Sequence, residues 1–86
     1  MTSNWSPCIA PGMRLQFEAV QDTWVLLYPE GMVKLNPSAS AILQRCNGKL
    51  TVAAIVADLE AAFNATGIAP EVTNLLNEGV RRGWIV

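Results

Sequence analysis

Two short apolar runs separated by a Pro-Glu-Gly turn constrain the fold of this chain more than any other feature. The first, residues 24–28 (WVLLY), is rich in strand-favouring residues and is apolar on both of its faces. A small domain can cover only one of those faces with its own helices. The second run, residues 32–35 (MVKL), is predicted to lie at the edge of the sheet, where unpaired N–H and C=O groups await a partner.

Composition limits the class of protein. The length of 86 residues predicts one domain. Because 51% of the residues are hydrophobic and only 15% are charged, the chain is too apolar to be disordered. We therefore expect part of its apolar surface to contact a partner. Six basic and seven acidic residues are interspersed along the chain. Neutralising about six to ten phosphates would need nearly every cation on one face, so nucleic acid is not an expected partner.

The remaining segments complete a three-stranded antiparallel meander followed by three helices. Residues 13–18 alternate apolar and polar side chains and predict the first strand. The first helix is predicted from Pro37 to about Asn47, with Asn36 as its N-cap. The second is capped by Thr51, and Gly67 either ends it or lies just past its end. The third runs from Pro70, with Glu71 near its positive end, to Gly83, after which the last three residues fold back onto the core. This is an α+β fold, winged helix-turn-helix-like, with residues 1–12 as an N-terminal tail and residues 13–86 as a single domain. The tail is either frayed or docked, on the domain or on a neighbour, through the apolar Trp5 and Ile9.

Catalytic signatures are missing from the sequence. It has no histidine, no cysteine pair at metal-ligand spacing and no glycine-rich phosphate loop. Cys46 falls on the apolar face of the first predicted helix and is expected to be a buried apolar group. We therefore predict a protein that is not an enzyme and has no metal or cofactor. Since neither a signal peptide nor a membrane span is evident, we predict a cytoplasmic location with no membrane partner.

Several short segments form an ordered set along the chain. They are residues 11–16 (PGMRLQ), 24–30 (WVLLYPE), 35–36 (LN), 41–43 (AIL), 46–48 (CNG), 51–52 (TV) and 82–84 (RGW). In this order and spacing they resemble the pyrroloquinoline quinone biosynthesis protein D family, and the resemblance runs from about residue 7 to residue 86.

This resemblance implies a small, non-catalytic peptide chaperone. It would bind the ribosomally made precursor peptide of pyrroloquinoline quinone and present it to a radical S-adenosylmethionine enzyme that cross-links a Glu and a Tyr of the peptide. In such recognition domains the leader peptide adds as a further strand to the third strand, beside the third helix. The peptide-binding residues that this implies are Met32, Val33, Lys34, Leu35, Val72, Leu75, Leu76 and Gly79. If Leu76 faces the groove, Leu76→Asp should abolish binding while the fold survives.

Two functions of other classes compete with peptide recognition. A winged-helix DNA-binding regulator would need a basic third helix, but the cations there, Arg81 and Arg82, lie at its far end. A purely structural dimerisation module would respond to no peptide. The free edge also allows a homodimer, by edge pairing or by strand exchange.

Overall fold

The computed structural model describes residues 5–86, which form three strands followed by three helices. In chain order these are β1 (Arg14–Glu18), β2 (Thr23–Tyr28), β3 (Gly31–Lys34), α1 (Pro37–Leu43), α2 (Val52–Phe63) and α3 (Ala69–Arg81). The antiparallel sheet has the order β1-β2-β3, so β2 is its central strand. The predicted α+β architecture is confirmed.

The helices cover one face of the sheet, and that face forms the core. Leu15, Leu26 and Val33 oppose one another across the three strands. Leu26 belongs to the core cluster, while Leu15 and Val33 pack against it. The opposite face carries Met32 and Val25; Val25 is fully buried even there. The observed register therefore confirms the predicted alternation, in which successive side chains of each strand point to opposite faces of the sheet.

The first two helices begin at side-chain caps, as predicted. The Asn36 side-chain oxygen accepts a hydrogen bond from the Ala39 N–H at 2.7 Å. The Thr51 hydroxyl accepts one from the Ala54 N–H at 3.2 Å. Each cap satisfies one of the donors that a helix start leaves without an intrahelical partner.

The first two helices end earlier than predicted. After Leu43 the chain makes tighter bonds between residues three apart, and the Cys46 N–H donates to the Leu43 carbonyl at 3.0 Å. The second helix ends at Phe63 because Asn64 takes a left-handed conformation with φ of 51°. Of the two predicted alternatives for Gly67, the structure shows the one in which it lies past the helix end.

The C-terminal residues fold back onto the core, as predicted. Gly83 has φ of +80°, a left-handed conformation that glycine adopts without strain, and the helix ends before it. The amides of Trp84 and Ile85 then donate to the Gly79 carbonyl at 2.8 and 3.3 Å. Ile85 is 2% exposed and belongs to the core cluster.

The segment before β1, predicted to be a tail, docks on the domain where the structure describes it. Cys8 and Val86 exchange two backbone hydrogen bonds of 3.2 and 2.9 Å, and the Ala10 N–H donates to the Trp84 carbonyl at 2.8 Å. This backbone pairing holds the two ends of the fold together. Residues 1–4 of the predicted tail lie outside the described residues.

Candidate functional site

β3 is one edge of the sheet, and its outer side meets no other strand of the part of the chain that the structure describes. The Leu35 N–H donates to the Trp24 carbonyl at 2.9 Å, so the main chain at Leu35 faces β2. Main-chain groups alternate in direction along an antiparallel strand. Val33 therefore also faces β2, while the N–H and C=O groups of Met32 and Lys34 point outward. These outward groups are those that an added strand would bind.

The side chains of this edge divide into two that reach solvent and two that anchor the strand. Met32 is 47% exposed and Lys34 is exposed. Val33 is half-buried against the core, and Leu35 is 6% exposed within it. Of the four binding residues predicted on this segment, Met32 and Lys34 therefore have side chains that a ligand could contact.

The third helix places one of its four predicted residues at a groove and buries the other three. Leu76 and Val72 are 0% and 1% exposed, and Gly79 is buried under Ile85. Leu75 is half-buried at the margin of this apolar stripe. Because the stripe that builds the core is wide, its central positions have no free surface. The condition attached to Leu76→Asp is not met, since Leu76 faces the core.

A concave surface of about 330 Å³ lies between the start of α1 and the first half of α3, and its lining begins at Asn36, two residues after β3. We call it the edge groove. It is lined by Asn36, Ser38, Ala39, Ile42, Glu71, Asn74 and Leu75. Leu75 is the residue of this lining that the sequence predicted. Its aliphatic residues are Ala39, Ile42 and Leu75, and the others supply a carboxylate, amides and a hydroxyl.

A second cavity, of about 250 Å³, lies among the three helices and is continuous in lining with the first. We call it the helix pocket. It is lined by Pro37, Ser38, Ala41, Ile42, Leu59, Phe63, Ala65, Ile68, Glu71 and Val72. Ser38, Ile42 and Glu71 belong to both linings. Among the described residues, Glu71 is the only charged side chain on either lining, so it sets the charge of both.

The sequence reasoning missed the polar rim of the edge groove. It interpreted Asn36 and Glu71 as helix-end residues, and each does lie at a helix start. A signal was nevertheless present. Glu71, Asn74 and Leu75 are spaced by three and four residues and so share one face of α3. Asn36 directly follows the edge segment, which places the start of α1 beside it.

Three further observations on the described residues concern metal ligands, thiols and helix length. No cluster of His, Cys, Asp or Glu that could hold a metal ion occurs among residues 5–86. Burial raises the pKa of the Cys46 thiol to about 11, with the nearby Cys8 as a smaller cause. At neutral pH the thiol is therefore protonated, and Cys46 is the buried core group that was predicted, 3% exposed. No helix in the described chain has both the length and the apolarity needed to cross a bilayer.

The fold and the candidate site define a small α+β domain with an open edge strand and a nearby groove of mixed apolar and polar lining. The family model described as "Coenzyme PQQ synthesis protein D (PqqD)" matches residues 23–85. The chain belongs to this family, which confirms the resemblance of its segments.

Similar proteins cover nearly the whole chain. The "PqqA binding protein" of Kluyvera intermedia is 48% identical over 86 residues, covering 99% of this chain and 94% of that protein. The protein of the same name from Stutzerimonas stutzeri is 49% identical over 80 residues, covering 92% of this chain and 87% of that one. The one from Methylococcus capsulatus is 43% identical over 77 residues, covering 90% and 83%.

Two solved structures share the fold. The solution structure of the PqqD truncation of Methylobacterium extorquens PqqCD, described as a functional and stand-alone RiPP recognition element, is 26% identical with a TM-score of 0.76. It covers 100% of this chain and 94% of that one. The crystal structure of PqqD from Xanthomonas campestris is 32% identical with a TM-score of 0.57, covering 95% and 93%.

Proposed function

We propose that this protein binds the ribosomal precursor peptide of pyrroloquinoline quinone by adding it as a further strand to β3. The observation that carries the proposal is the outward main chain of Met32 and Lys34, on an edge segment that the chain follows with Asn36, a residue of the edge-groove lining. The names of the similar proteins, "PqqA binding protein", and the description of the M. extorquens domain as a recognition element support it.

The geometry suggests how a guest strand would lie. Antiparallel to β3, it would start near Asn36 and run toward Gly31, so residues that precede the paired segment would reach the edge groove and then the helix pocket. Its apolar side chains would meet Leu75 and Ile42. Lys34 favours a carboxylate on the paired segment, and Glu71 favours a cationic or hydrogen-bond-donating group in the groove.

The free energy of such a complex must come mainly from side chains. Ordering about five peptide residues costs roughly 1 to 2 kcal/mol each. Each new main-chain hydrogen bond returns about 0.5 to 1.5 kcal/mol, so the backbone alone gives little or no net affinity. Micromolar binding needs about −8 kcal/mol. Burying large apolar peptide side chains in the grooves, at roughly 1.5 to 3 kcal/mol each, supplies the rest. Main-chain pairing sets register and direction, and the grooves select the sequence.

In the proposed role, the protein delivers the bound peptide to an enzyme and does not itself catalyse a reaction. The bound peptide would be presented to the radical S-adenosylmethionine enzyme that cross-links its Glu and Tyr, with this protein contributing no cofactor. A guest held by main-chain pairing and by side chains in the edge groove and the helix pocket keeps its remaining residues accessible to that enzyme. The cytoplasmic location predicted from the sequence remains a prediction.

The two competing functions have less support at the same surface. At the end of α3, Arg81 and the following Arg82 both donate hydrogen bonds to Glu78. These hydrogen bonds, that of Arg82 first, lower the pKa of the Glu78 carboxyl. The cations that a DNA-binding helix would use are thus engaged with a carboxylate, and Glu71 adds a second negative charge to this helix. A structural dimer built on β3 would block the edge that the precursor peptide needs.

Calorimetric titration with the synthetic precursor peptide tests the proposal. We expect saturable binding of one peptide per chain, no binding of a scrambled peptide of the same composition, and no binding of duplex DNA at physiological salt. Binding of the scrambled peptide with equal affinity would contradict recognition by register and groove. Binding of DNA in place of the peptide would favour the regulator.

A further inference from the structure

The helix pocket has one wall that the fold leaves uncovered, the ring of Phe63. This residue ends α2 and is 62% exposed although it lines the pocket, which makes it the most exposed aromatic side chain of residues 5–86. Leu59, one turn earlier on the same helix, is 3% exposed and belongs to the core cluster. The core therefore ends before Phe63, and the ring offers apolar surface to a partner.

The size of the helix pocket suits one aromatic side chain. Its volume is about 250 Å³. A cavity of about 150 Å³ holds a benzene molecule, whereas binding sites for small molecules and cofactors measure about 300 to 1,000 Å³. Ala41 and Ala65 lie on the lining, and their short side chains leave this space open. The pocket is thus large enough for a phenol or an indole ring and small for a free cofactor.

Hydrogen bonds to Glu60 fix the wall of the pocket between α2 and α3. The Ala65 N–H donates to the Glu60 carbonyl at 3.0 Å, and the Ile68 N–H donates to the Glu60 carboxylate at 3.4 Å. Ala65 and Ile68 both line the pocket. Because these bonds hold the connecting segment against α2, a guest side chain does not have to order it, which lowers the cost of binding.

The helix pocket adjoins the edge groove at Ser38, Ile42 and Glu71, which line both. Beyond this junction the remaining residues of the pocket lining are all apolar. A guest strand antiparallel to β3 directs the residues that precede its paired segment toward the edge groove and then the pocket. The side chain that reaches the pocket is therefore one of the guest peptide itself, and an apolar ring fits the lining.

We propose that the helix pocket is a specificity pocket for one aromatic side chain of the precursor peptide, located N-terminal to the segment that pairs with β3. In this arrangement the ring packs on Phe63 and beside Ala65, and it covers the exposed wall of the pocket. Aromatic rings in offset-stacked or edge-to-face contact stabilise a complex beyond the burial of their area. The inference rests on the proposed function and extends it, because it assigns a side chain class to a second contact beyond the strand edge.

Phe63→Ala removes the uncovered wall of the pocket with little effect on the fold, because the ring is mostly exposed. We expect the affinity for the precursor peptide in calorimetric titration to fall about tenfold or more, with little change in the midpoint of thermal unfolding. Phe17→Ala is the matched control. It removes an exposed ring from β1 that lines neither cavity, so it should leave the affinity unchanged.

Ala65→Leu tests the pocket in the opposite direction, by filling it. Ala65 lines the helix pocket and not the edge groove, so this variant should also lose about tenfold in affinity while its main chain at β3 is unchanged. Circular dichroism checks that each variant is folded.

Replacing the aromatic residues of the peptide by alanine, one at a time, identifies the ring that docks. The peptide that lacks this ring should bind the natural protein about tenfold more weakly. It should bind Phe63→Ala and Ala65→Leu as well as it binds the natural protein, because residues in contact have effects that do not add.

The proposal is overturned if Phe63→Ala or Ala65→Leu binds the precursor peptide as tightly as the natural sequence does. It is also overturned if no aromatic replacement in the peptide weakens binding, or if Phe17→Ala weakens it as much as Phe63→Ala. In these cases a weaker affinity in Lys34→Pro, which removes an outward N–H from β3, would show that strand addition stands without the pocket. Absence of peptide binding to the natural protein would overturn both the pocket and the proposed function.

Discussion

Ile85 packs directly on the backbone of Gly79, so that a Cβ placed on Gly79 would lie 2.5 Å from the Ile85 Cδ1 atom and 3.0 Å from its Cγ1 atom. Glycine in a helix interior costs about 1 kcal/mol relative to alanine. Its presence in α3 is explained by this contact, through which the C-terminal segment closes the core.

Gly79→Ala is expected to destabilise the domain although it raises helix propensity. Overpacking a full core costs about 1 to 3 kcal/mol, which exceeds the propensity gain of up to about 1 kcal/mol. We expect a net loss of about 1 kcal/mol in the free energy of unfolding, measured by urea denaturation. Ile85→Val removes the nearest atom, so Gly79→Ala should cost less in that background. Equal costs in both backgrounds would show that Ile85 is not the cause.

Leu75 and Leu76 are neighbours on one helix and should have opposite roles. Leu76 is fully buried, so Leu76→Ala should lower the free energy of unfolding by about 2 to 5 kcal/mol. Leu75 lines the edge groove, so Leu75→Ala should weaken peptide binding by roughly fivefold, about 1 kcal/mol, with a smaller loss of stability. Denaturation and calorimetry on both variants separate the two effects. Undiminished affinity in Leu75→Ala would remove Leu75 from the site.

Lys34→Pro removes an outward N–H from β3 without removing a hydrogen bond to β2, because proline lacks the donor and is tolerated on edge strands. We expect peptide affinity to fall by at least the value of one hydrogen bond, about 0.5 to 1.5 kcal/mol. Lys34→Ala is the matched control, because it removes the charge and keeps the N–H. If both variants bind equally well, the main chain at this position takes no part in binding.

The buried thiol of Cys46 should make stability depend on alkaline pH. Its pKa is raised from 9.0 to about 11, mainly by burial, so the folded state holds the proton more tightly than the unfolded state does. The resulting stabilisation is fully present below pH 9 and is lost as the pH rises toward 11. Urea denaturation between pH 8 and 11, compared with Cys46→Ala, measures it. A parallel loss in the variant would assign the effect to other groups.

The sequence was sufficient for the fold because local signals agreed with one another. The alternation of apolar and polar residues specifies β1. The caps at Asn36 and Thr51 specify where the first two helices begin, and Gly83 specifies where the third helix ends. For the N-terminal tail, the apolar side chains of Trp5 and Ile9 left docking open as one alternative, and both pack against the core. The pairing of Cys8 with Val86 could not be predicted, because it depends on backbone hydrogen bonds to the far end of the chain, which leave no side-chain pattern.

The candidate site was predicted less completely than the fold. The edge strand is visible as an apolar run after a turn, and its position at the edge follows from chain order. Most of the apolar stripe of α3, however, is buried in the core. Sequence periodicity does not distinguish a fully buried position such as Leu76 from a half-buried position such as Leu75 at the edge of the stripe. The polar rim at Glu71 and Asn74 depends on how α1 and α3 pack, which is a tertiary property.

An amide-shift titration of the isotopically labelled protein with the unlabelled precursor peptide tests the central claim most directly. Strand addition predicts that the amides of Met32 and Lys34 shift most, together with those of Asn74 and Leu75, and that cross-strand contacts appear between the Met32 and Lys34 amides and the peptide main chain. Gln16, in the strand at the opposite edge, should not respond to the peptide. Saturation of the shifts on β1 or on α2 alone, with Met32 and Lys34 unchanged, would contradict it.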